Sequence, residues 1–161
     1  RDKLVTGVQT CALPIFRPGT DNIRWVRISV DAGDSTDYGK VRGGNWNQLQ
    51  ANLQWLKALR HQKRIERFSL NFVVQKDNLN SLKSFFQMAS ELEADEIFLS
   101  PLLDWPHMKT SQMEISEFDR SREILQELLQ KNWPFQVAGN FSPWNIPNQW
   151  EQEEISANQI T

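Results

Sequence analysis

The chain has 161 residues, with 18 Lys and Arg against 20 Asp and Glu, a formal net charge of −2. That length suits one ordinary domain with a core of its own, and the near-neutral balance gives no electrostatic reason to expect nucleic acid or an anionic membrane surface as partner. No apolar run approaches the roughly 20 residues of a membrane span, while seven Trp and nine Phe beside one Tyr point to a bulky apolar interior.

The first segment is set aside. Val5 to Ile15 (VTGVQTCALPI) matches the conceptual translation of a sequencing-adapter oligonucleotide, and residues 1–15 are expected to be an artefact of that kind. A short secretory signal is the other reading, but Thr6, Gln9 and Thr10 interrupt the apolar core that a signal needs. The biological chain is expected to start near Phe16, with upstream sequence cut away. Cys11, the one cysteine, falls inside this segment, so no thiol argument about redox, zinc or nucleophilic catalysis rests on it. A remainder without cysteine agrees with the expected cytoplasmic location.

From Ile23 to Val30 the residues alternate. Val26, Ile28 and Val30 share one face, and Trp25, Arg27, Ser29 and Asp31 the other, a period of two that marks a strand. A polar loop punctuated by Gly33 and Gly39 follows, and Gly43-Gly44 precedes a helix with Asn45 as its expected N-cap. Trp46, Leu49, Leu53, Leu56 and Leu59 then recur at three and four, an amphipathic helix to about His61. The pattern repeats with a strand at Phe68 to Val74, a polar loop at Gln75 to Asn80, and a helix whose stripe is Leu82, Phe85, Phe86, Ala89 and Leu92. A third strand, Ile97 to Leu103, carries Pro101 near its end. Ser116-Glu117-Phe118-Asp119 resembles a capping box, opening a helix that Pro134 ends. Phe135 to Phe141 is expected as one more short strand, and 142–161 as a loosely ordered acidic tail.

Strand and helix alternating at this spacing predict successive βα units on a parallel sheet with right-handed crossovers. Three such units are too few for a closed barrel, which takes roughly 200 residues or more. The predicted fold class is therefore α/β, a fragment holding later βα units of a parallel (β/α) partial TIM-type barrel over residues 16–141. In such sheets, ligands sit at the carboxyl ends of the strands. Polar residues crowd there in Trp25 to Trp46.

Two stretches carry a resemblance. VRISVDAGDSTDYGKVRGGNW resembles the fourth-strand segment of radical S-adenosylmethionine (radical SAM) enzymes, with its S-[VIL]-D-[AG] strand end and following Y-x-x-x-R-G-G. NFVVQKDNLNSLKSFFQMASELEADEIFLSPL resembles the fifth strand, fifth helix and sixth strand of that fold. The likeness is strongest to the group related to molybdenum-cofactor biosynthesis and to SPASM-domain enzymes; it spans roughly Trp25 to Trp105, with a weaker echo near Val137 to Phe141. It implies an enzyme that reductively cleaves S-adenosylmethionine on a [4Fe–4S] cluster, giving a 5′-deoxyadenosyl radical that abstracts a hydrogen from a small-molecule or peptide substrate. A reductant such as flavodoxin or ferredoxin would be its partner. The family's CxxxCxxC cluster loop is absent here, so this chain is expected to be inactive alone.

The resemblance also implies residue roles. Ser29 matches the hydroxyl that meets the ribose, and a hydroxyl that donates and accepts suits a vicinal diol; a serine hydrogen-bonded within the barrel is equally open. Asp31 stands to hold the ribose or a loop amide. Arg42 matches the arginine that meets the methionine carboxylate, a contact for which a guanidinium fork is suited; an exposed salt bridge is the bland reading. Gln75 and Asn78 face the expected barrel mouth, where either is placed to contact cofactor or substrate, with a turn or cap role open for Asn78. Tyr38 is expected to pack the loop and Asn71 to satisfy the interior. No metal-ligating spacing surrounds His61 or His107, and Asp31, Asp34 and Asp37 fail the calcium-loop pattern. A phosphosugar-binding parallel barrel and a non-catalytic binding protein on a degenerate barrel remain the alternatives.

Overall fold

The computed structural model describes residues 24–102 and 113–146. The adapter-like segment, Leu103, His107 and the tail from residue 147 lie outside the described residues. Within them the order is β1 (Trp25–Ser29), α1 (Ser35–Arg42), α2 (Trp46–His61), β2 (Arg67–Val74), α3 (Leu82–Glu91), β3 (Glu96–Pro101), α4 (Ile115–Leu129) and β4 (Gln136–Gly139). The four strands form one parallel sheet in the order β1-β2-β3-β4.

The two-residue period decides the faces. Ile28, Leu70, Ile97 and Val137 lie side by side in register, as do Phe72, Leu99 and Gly139. All but Gly139 bring side chains into the core, with Leu53 and Leu56 of α2, Phe85 and Phe86 of α3, and Leu125 and Leu128 of α4. The Phe72 and Phe85 rings lie 4.7 Å apart. Each such buried side chain stabilises the fold by about 1.5–3 kcal/mol relative to exposure. The opposite face carries Arg27, Ser29, Asn71, Val73, Phe98, Ser100 and Ala138, all half-buried, and Trp25 at 43% exposure. The sheet thus has a packed apolar face and an open, mostly polar one.

Three expectations are corrected. The glycine-punctuated loop after β1 is largely a helix: the Asp34 carboxylate accepts from the Thr36 and Asp37 N–H groups, and Gly43 ends α1 in the left-handed region (φ 64°). The helix tolerates Gly39 because both its ends are capped. The box expected at Ser116 lies two residues earlier, where Glu117 reaches back to the Glu114 N–H at 2.8 Å. Finally, packing continues beyond residue 141. Ser142–Trp144 forms a 3₁₀ turn, and Trp144 is fully buried with its indole N–H on Ser121 Oγ at 2.8 Å. Asn45 does cap α2, accepting from the Gln48 N–H at 3.0 Å.

Candidate functional site

The carboxyl ends of β1 and β2 meet α1 and the 3₁₀ turn Lys76–Ser81. Gly33 permits this approach, because a Cβ there would run into the Ser81 carbonyl and the Phe85 backbone nitrogen. Tyr38, 1% exposed, packs beneath α1 as expected, its ring 5.5 Å from that of Trp46.

Asp31 is the hub of this junction. The residue is 4% exposed and holds a left-handed backbone conformation (φ 55°), an uncommon one outside glycine, for which aspartate is among the more tolerant residues. Its Oδ1 accepts from the Val73 N–H at 2.7 Å, and its Oδ2 pairs with an Arg42 Nη. Burial pushes the Asp31 carboxyl above the usual carboxylate range, outweighing the downward pull of Arg42 and of the Val73 N–H.

Four of the five expected site residues converge here. Asn78, fully buried, donates through Nδ2 to the Asp31 carbonyl and the Val73 carbonyl, both at 2.9 Å, while its Oδ1 accepts from the Gln75 N–H at 2.9 Å. Gln75 itself is buried at the head of the turn. Asn78 is therefore saturated by protein groups, and its role is to tie the two strand ends together. Asp31 likewise has both oxygens engaged. Arg42 keeps outward room, its side chain 31% exposed.

Ser29 stands apart from that knot, two residues upstream on the open sheet face. Its Oγ lies 3.4 Å from Asn71 Nδ2, a long contact, and its residue is only half-buried. It lies on the face away from the helices, which is where a ligand over the sheet could reach it.

Sequence reasoning missed two parts of this region. Ser81 donates to Asp37 Oδ2 at 2.5 Å and approaches Asp34 at 3.4 Å, so α1 is bolted to the turn after β2. No local signal marks that contact, since 44 residues separate Ser81 from Asp37. The second part lies at the other end of the open face. Arg27 sits over the Trp25 and Phe98 rings at 4.6 and 4.7 Å and pairs with Glu96 at 2.5 Å. Arg67 reaches Glu96 at 2.8 Å and Gln136 at 2.9 Å. The placement of Arg27 on the same face as Ser29 was legible as alternation; its partner Glu96 was not, because strand pairing supplies it.

No group of three or more His, Cys, Asp or Glu among the described residues is arranged to hold a metal ion. Likewise, no helix among them is long and apolar enough to cross a membrane. No family model matches the chain, and no curated protein matches it.

Proposed function

We propose that the chain is part of a radical SAM enzyme, contributing later βα units of a partial barrel whose interior is the open sheet face. The observation that carries this reading is the site itself. Arg42 is held by Asp31 just past the carboxyl end of β1 with its side chain partly exposed, and Ser29 is half-buried on the polar face of the same strand. Strand order supports it too. Four parallel strands in sequential order, with the right-handed crossovers that such units take as a rule, would put all their helices on one side, as in a barrel wall. The exposed polar face then becomes the lumen, closed by further units.

The residues fit S-adenosylmethionine in part. A guanidinium suits its carboxylate and a hydroxyl its ribose diol. They do not fit the [4Fe–4S] cluster, which takes several thiolates where this chain has one cysteine. Asp31, Asn78 and the Val73 N–H orient Arg42 and fix the strand ends that face the ligand. The open face, floored by the Arg27–Glu96–Arg67 cluster, would exclude water once covered.

Calorimetric titration of the 161-residue chain with S-adenosylhomocysteine tests this reading. Binding that weakens about tenfold in Arg42→Gln, the scale of one lost charge-assisted pair, and weakens less in Ser29→Ala, is the expected result. Binding unaffected by either substitution, or none at millimolar ligand, removes it.

A further inference from the structure

Arg42 carries a carboxylate before any ligand arrives. Asp31 pairs with it while accepting from the Val73 N–H, on a backbone in the left-handed region. Its side chain is 5% exposed against 31% for Arg42, so the aspartate lies on the protein side of the pair and the arginine on the open side. An arginine has five N–H donors, and those turned away from Asp31 remain for a second acceptor.

The surrounding charges matter as much as the pair. Asp34 caps α1, Asp37 is buried against Ser81, and Lys40 is 3.5 Å from Asp37. Lys40 is thus paired with Asp37, and Asp31 is the carboxylate that pairs with Arg42. With Asp31 charged, the pair is neutral overall, so a ligand on the outward donors of Arg42 meets the repulsion of Asp31 across the same guanidinium. That repulsion is twice as large for a dianion as for a monoanion, in surroundings that screen less than bulk water.

We propose that Asp31 sets the ligand charge this site accepts, admitting a monoanionic carboxylate and rejecting a phosphate dianion. The inference rests on the reading of Arg42 as an anion contact and adds to it a residue that acts through Arg42 without touching the ligand. It also separates the S-adenosylmethionine reading from a phosphosugar-binding barrel, since the two offer Arg42 anions of different charge.

The test follows the Arg42 Nε–H resonance of the ¹⁵N-labelled 161-residue chain, assigned by its loss in Arg42→Lys. Acetate and methyl phosphate, the latter mostly dianionic at about pH 7.5, are titrated separately. Wild type is expected to bind acetate more tightly than methyl phosphate. Asp31→Asn keeps an acceptor for the Val73 N–H and removes the charge; it should shift the ratio toward methyl phosphate by about tenfold. A merely structural role for Asp31 would weaken both probes alike. Equal or tighter methyl phosphate binding in wild type overturns the inference, as does an unchanged ratio in Asp31→Asn or a silent Arg42 with both probes. Should the variant fail to fold, the wild-type ratio alone decides. Acetate preference without S-adenosylhomocysteine binding would keep the charge filter and discard the radical SAM reading. S-adenosylhomocysteine binding with an unchanged ratio would do the reverse.

Discussion

The two ends of this parallel sheet solve the same problem differently. At the amino end, Asp95 receives two hydrogen bonds from Arg60, at 2.8 and 3.0 Å, and one from the Phe68 N–H at 2.8 Å. Burial there pushes Asp95 upward, but Arg60, the Phe68 N–H and nearby Arg67 together outweigh it and hold the carboxyl below its usual range. At the carboxyl end, Asp31 has a comparable set of partners but is far more deeply buried, and its pKa moves the other way. The amino end therefore reads as a clamp whose groups are stabilised as charged. The carboxyl end holds a charge under stress, next to an arginine with donors to spare. Parallel-barrel enzymes keep their ligands at the second end.

The largest expected effect comes from untying the carboxyl end. Asn78→Ala would strand the Gln75 N–H and remove a donor from two carbonyls in a fully buried position, for a loss of about 3 kcal/mol. Urea unfolding followed by circular dichroism measures it; a loss no greater than that of a surface substitution would show that the knot is not structural. At the amino end, Asp95→Ala is expected to lose about 1–2 kcal/mol, because Arg60 is partly solvated and its pairing is discounted accordingly.

Acid titration of stability separates the ends by sign. Asp95, depressed in the folded state, contributes stability that is present above the ordinary carboxylate value and lost as pH falls through the lowered one. Asp31, raised in the folded state, contributes stability present below the ordinary value of about 3.9 and lost as pH rises through the raised one. Asp31→Asn should therefore remove a decline in stability with rising pH over that upper window, while Asp95→Asn should remove a decline with falling pH over the lower one. Unfolding midpoints collected across the acid range check both, and slopes of the same sign in the two variants would erase the contrast. The smallest effect belongs to Glu93, exposed between Lys57 and His61. Glu93→Gln should leave the thermal midpoint unchanged within error, which calibrates how much of the amino-end effect is specific to Asp95.

Much of this was legible in one dimension. Alternation in VRISV and FSLNFVV assigned both faces of β1 and β2, and the 3–4 spacing of Leu49, Leu53, Leu56 and Leu59 assigned the buried side of α2. Asn45 announced its own helix. The misjudged places share a cause. In α1, cap residues at both ends overrode a mid-segment glycine that looked like punctuation. In the stretch from Ser142, a proline suggested loosening, while Trp144 had a pocket waiting on α4 and a partner in Ser121.

Sequence by itself determined that this chain builds parallel βα units, that their polar residues gather at strand ends, and which residues populate that end. These follow from periodicity and local chemistry, which act over a few residues. Tertiary structure alone decided what those residues do for one another. Asp31 finds Val73 across 42 residues, Asn78 reaches back 47 to the Asp31 carbonyl, and Ser81 fastens Asp37 across 44. Such pairings depend on strand register and on how closely Gly33 lets the backbones approach, neither of which any local window encodes. Pairing is also what divides the site: it closes Asn78 and Asp31 within the protein and leaves the outward side of Arg42 open.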